Sequence, residues 1–229
     1  MGDSIEFIKD RATKTLSAAK SLSAEWIWQE KTLAEMEAQL AAFVGDKDAA
    51  PPVVGQEEIA SDAEQVMLDA RGAWDARLDT LHRRTMQGVA MAKTRHRDDP
   101  AKLAVIAPLG ADGDSRAGIL AEALAWESAW AEVDPAWAPL PANTLAAFQA
   151  LRRECNEDFR TAHSDARAAW RKQAEKLNAL ASDIDDASVA WYADATRVFP
   201  AGTENGDMIR GTIPTTYSPP AEKTPPPAP

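Results

Sequence analysis

Asp79 and His82 stand three residues apart in a strongly helical stretch, so a carboxylate and an imidazole share one helical face. That pairing is half of the di-metal motif of helical bundles, which needs Glu-x-x-His twice and a Glu from each of two other helices. Only one Asp version is present, and Arg83-Arg84 follow at once with charge that opposes a bound cation. The pattern points away from a metal centre. Of the other histidines, His163 lies two residues from Asp165, and side chains at that spacing leave a helix on different faces. Cys155 is the single cysteine, which excludes an internal disulfide framework and any multi-thiolate metal site. It falls on the apolar face of a helix and reads as a buried structural thiol. Glu154, Glu157 and Asp158 beside it read as a solvated face. There is no Gly-rich phosphate loop, nucleophile elbow or Cys/His zinc spacing. No catalytic, cofactor or metal residue is assigned, and the chain is read as non-enzymatic.

Tryptophan is the anomaly: eight residues against two tyrosines. Trp26, Trp74, Trp126, Trp130, Trp170 and Trp191 fall on or beside apolar helical stripes. There a wide ring fills the space opposite alanine and its N–H finds a partner at the bundle edge. Trp28, two residues past Trp26, is expected on the far side of its helix as an exposed contact residue, because Trp is enriched in interface hot spots. Trp137, held among prolines, is the second contact candidate. An aromatic box for a ligand is the sharper alternative for both, though nothing in their spacing requires it.

The elements that must position these side chains are long helices. Residues 5 to 43 hold a seven-residue seam: Ile5, Ala12, Ala19, Trp26, Leu33, Leu40 in one row, and Ile8, Thr15, Leu22, Gln29, Met36, Phe43 in the other. This predicts one continuous helix over 4–44, capped by Asp3 or Ser4, stopped at Gly45 and roughly 60 Å long. A second helix is expected over 56–97, with Gly88 allowing close approach of a neighbour, and a third over 115–133 after an Asp114/Ser115 cap. Between them, residues 101–114 read as a loop or a single helical turn. The fourth, 144–199, carries an eleven-residue repeat (Phe148, Phe159, Trp170, Ala181) that keeps a nearly straight seam. Its length invites a bend or break near Ser182 to Asp186. Residues 201–229 lose helical periodicity yet keep Met208, Ile209, Ile213 and Tyr217, so they read as an extended, Pro-rich arm that packs on something. The expected fold is all-α: an elongated antiparallel bundle of three long helices and one short helix over 1–200, with the arm at 201–229.

Charge narrows the partners. A net charge of -11 argues against a primary nucleic-acid binder, which needs a basic face. The basic cluster Arg83, Arg84, Lys93, Arg95, His96 and Arg97 reads as a helix C-terminus complementing its dipole, with an anion or acidic-partner contact as runner-up. No secretory leader or membrane-length apolar run is evident, so a cytoplasmic protein is expected by default, with signal-less export left open. The leading expectation is a structural or interaction protein that associates with itself into an oligomer or filament, the C-terminal arm serving as latch. A membrane-active helical protein is the alternative, and a metal or cofactor enzyme in the bundle core comes third. No small-molecule substrate is evident.

Overall fold

The structure, a computed structural model, describes residues 4–110, 115–140 and 143–212. The fold is all-α. Its elements are α1 (Ile5–Leu22), α2 (Leu33–Val44), α3 (Gln56–Arg95), α4 (Pro100–Ile106), α5 (Arg116–Val133), α6 (Leu145–Glu154), a π-helical turn (Cys155–Phe159), α7 (Arg160–Val198) and α8 (Glu204–Thr212). Two isolated antiparallel bridges, Asp46–Val53 and Leu140–Asn143, are the extended pairings among the described residues. The chain divides into two compact units, Met1–Ser61 with Lys172–Pro229, and Asp62–Arg171.

In the first unit, the continuous helix expected over 4–44 is two helices. Ser4 caps α1, its Oγ accepting from the Phe7 amide at 3.3 Å. Ser23 ends it, donating its hydroxyl to the Lys20 carbonyl at 2.7 Å. Trp26-Ile27-Trp28 then leaves the helix, and Thr32 restarts one. The Thr32 hydroxyl accepts from the Glu35 amide at 3.2 Å, while the Glu35 carboxylate accepts from the Thr32 amide at 2.7 Å. This reciprocal capping box makes Thr32 a helix start. α2 folds back along α1, with Lys20 paired to Glu37 at 2.6 Å.

Gly45 ends α2 at φ 88°, and Asp46 and Val53 exchange two backbone bonds of 2.8 Å. A Cβ on Gly55 would collide with the backbone at Val44 and Gly45, so that turn closes only on a glycine. One apolar cluster joins Ile8, Ala12, Phe43, Ala60, Leu177, Ala181 and Ile184. A second joins Ala18, Ala19, Leu22, Trp28, Trp191, Ala195 and Ile209.

Ile209 marks the other large departure from expectation. The arm expected to be extended from residue 201 forms α8 over Glu204–Thr212, docked on its own chain. Thr203 starts it by accepting from the Gly206 amide at 3.1 Å. Glu204 and Asp207 lie in its first turn and Arg210 in its last, the order the helix dipole favours. Asn205 ties it to Glu25 at 2.7 Å, and Ile209 is fully buried.

In the second unit, α5 runs alongside α3 in the same direction: Arg116 meets Asp75, Trp126 meets Gly88 and Arg95 meets Asp134. The all-antiparallel order expected from the sequence therefore does not hold here, because α4 and its flanking turns return the chain before α5 begins. α4 starts on an Asp99 cap with Pro100 in its first turn. A Cβ on Gly88 would lie 2.9 Å from the Trp126 ring, so that glycine admits an indole. α6 runs opposite to α5, with Arg152 paired to Glu127 at 2.5 Å.

From Leu145 to Val198 the helix is continuous, as the single element expected over 144–199, and it does not break near Ser182 to Asp186; its irregularity is the π turn at Cys155–Phe159. A widened turn shifts the backbone pairing and leaves a carbonyl for another donor. The Trp74 indole N–H donates to the Cys155 carbonyl at 2.9 Å.

Candidate functional site

Residues 23–32 of the first unit, freed from the helix, help to build an apolar concavity in that unit. Trp26 lies against Trp191, ring centres 6.2 Å apart, and meets Phe199 edge-on at the same distance. Trp28 turns inward and is 7% exposed, its Nε1–H donating to Asp194 at 3.1 Å. Ile27, between the two indoles, is 68% exposed. Together with Leu33 and Met36 these side chains wall an apolar cavity of about 320 Å³. Lys31 is the one charged residue lining it, and its Nζ donates to Gln39 at 2.9 Å. The walls offer three indoles and several aliphatic side chains, with Lys31 and the hydroxyl residues Ser23 and Thr32 also lining them, so the site is suited to binding a largely apolar partner.

Trp28, expected to be exposed, is core, because α1 ends at Leu22 and the indole no longer follows the helical register. Met208 and Ile209 pack on the cluster that carries Trp28 and Trp191. Ile213 and Tyr217 lie outside the described residues. Trp137 belongs to the second unit. It is half-buried, its carbonyl accepts from the Trp130 indole at 3.0 Å, and the Arg95 guanidinium lies 5.4 Å from its ring centre. It forms one wall of a cavity of about 440 Å³ with Ala90, Met91, Thr94 and Arg95.

The residues first considered for chemistry are dispersed. No group of three or more His, Cys, Asp or Glu fit to hold a metal occurs among the described residues. Cys155 is fully buried, and burial pushes its thiol up to about 11 against a weaker opposing pull from Arg77. Such a thiol stays protonated near neutrality and is a poor nucleophile. Several members of the basic cluster are engaged within the unit: Lys93 donates to the Leu109 carbonyl at 2.6 Å, Arg95 pairs with Asp134, and His96 meets the Trp137 ring edge-on.

A stack that sequence reasoning missed lies around Trp74. Arg116 grips Asp75 with two bonds of 2.6 and 2.8 Å, and its guanidinium sits 4.8 Å from the Trp74 ring centre. The His163 ring centre is 5.5 Å from the same ring. The hydrogen bond from Arg116 holds the Asp75 carboxyl below the usual range. Loss of solvation, then the Arg116 charge, lowers the His163 imidazole. Asp75 and Arg116 are 41 positions apart, and neither spacing nor composition pairs them. With the ion pair satisfied and His163 held toward its neutral form, the stack braces α3 against α5 and α7.

A search for likeness returned nothing to set beside this geometry: no family model, no curated protein and no solved structure matches the chain.

Proposed function

We propose that this protein is a non-enzymatic interaction protein that associates with copies of itself, with its C-terminal arm as the joint. The observation that carries the reading is the tryptophan-walled cavity of the first unit with Ile27 exposed at its lip. Burying apolar surface stabilises by about 25 cal/mol per Å², so an open indole pocket gains from any apolar partner that closes it. Trp is also the residue most enriched at interface hot spots. Because α8 is docked in its own chain, the part of the arm left to act as a joint is residues 213–229.

Light scattering of the full chain and of a chain ending at Thr212 tests this reading. The full chain should gain mass with concentration and the shortened one should not. Equal mass for both at every concentration would remove the arm from the assembly.

A further inference from the structure

We infer that residues 213–229 occupy the tryptophan-walled cavity of the first unit. The inference deepens the reading above by naming the seat of the joint, and depends on it only for which copy supplies the segment. Position is the first argument. Ile209 shares a buried cluster with Trp28 and Trp191, both of which also line the cavity, and α8 ends three residues later at Thr212. Seven residues in a polyproline II conformation, at about 3.1 Å each, carry Pro219 roughly 20 Å from Thr212. That reach exceeds the roughly 10–12 Å width of a helix.

Chemistry is the second argument. The segment reads Ile213-Pro-Thr-Thr-Tyr217-Ser-Pro-Pro and goes on to Pro225-Pro226-Pro227. Proline-rich chains dock in aromatic-lined grooves, because their rings lie flat on indole faces and their fixed φ lowers the entropy lost on ordering. Trp26, Trp28 and Trp191 supply such faces together with Leu33 and Met36. Lys31 at the rim donates to Gln39, and its charge also acts on the Glu35 carboxylate. Glu222 and Lys223 lie between the two proline runs. The cavity at Trp137 is the poorer seat: it offers one indole, already covered by the Arg95 guanidinium.

Photo-crosslinking in the full chain tests the pairing. A benzophenone amino acid takes the place of Tyr217, and in a second preparation of Ala221. Illuminated protein is digested and the joined peptides are identified by mass spectrometry. Links should fall on residues 26–36 or on Trp191. Ile27→Asp and Ala34→Asp, both at exposed positions, should cut their yield at least about tenfold while leaving the circular dichroism unchanged. Links from both positions to other surfaces, the Ala90–Arg95 face included, would overturn the inference. So would yields indifferent to Ile27→Asp, or no links at all. Mixing isotopically light and heavy chains separates this outcome from the wider reading. Links between copies support both. Links confined to one copy support the pairing and remove the joint from the self-association proposal.

Discussion

Trp28 shows how one indole can anchor a loop. Its ring is core in the first unit, and its N–H satisfies Asp194 on α7. Trp28→Ala should cost about 3–5 kcal/mol in denaturant melts, the range for truncating a buried aromatic. Trp28→Phe keeps most of the apolar contact and removes one hydrogen bond from Asp194, whose other oxygen still pairs with Arg197, so it should cost only about 0.5–1.5 kcal/mol. A change in Trp28→Ala below about 0.5 kcal/mol would mean that the ring is not core. Cys155 gives a residue-scale prediction of opposite character. Its folded pKa is raised from 9.0 to about 11, so the folded chain holds this proton more tightly than the unfolded one. The associated stability is complete below about pH 9 and is lost as pH rises toward about 11. Melts of wild type and Cys155→Ala across that window should converge by up to roughly 2–3 kcal/mol, at about 1.4 kcal/mol per unit. Parallel curves would contradict the burial argument.

At the scale of elements, the capping box at Thr32 decides where α2 begins. Thr32→Ala should cost about 1 kcal/mol, as lost N-caps do. Both the Thr32 amide and its hydroxyl lower the Glu35 carboxyl below its ordinary value. A lowered carboxylate contributes its stability above the unfolded pKa and loses it as pH falls, so the effect of Thr32→Ala should shrink in acid. Docking of α8 gives a second test: Ile209→Ala should cost about 2–5 kcal/mol, equally at low and high protein concentration, because the contact lies within one chain.

The helices differ in how far each could be read from the sequence. The stripes of α3 and α5 were legible, since Trp74, Leu78, Leu81, Ile119, Ala123 and Trp126 repeat at helical spacing and all are buried. The break after Leu22 was not, because Leu33, Met36, Leu40 and Phe43 continue the row of α1 in phase across a loop. The contrary signal was local, a threonine followed three residues later by glutamate. The π turn left no such mark, since adding a residue to a helix changes its backbone pairing and not its composition. The candidate site was half-legible: Trp26 and Trp28 stood out by type, but their joint cavity with Trp191 needs the tertiary fold.

For the whole molecule, the all-α composition predicts far-UV circular dichroism with helix above about 60%, well over the usual third. Substantial strand signal would contradict it. Among the described residues no helix is long and apolar enough to cross a membrane. Self-association of the intact chain is read by sedimentation velocity over a wide concentration series. The weight-average sedimentation coefficient should climb with concentration, as a contact between copies must by mass action. A single boundary with the coefficient of one 24.7 kDa chain at every concentration would contradict it.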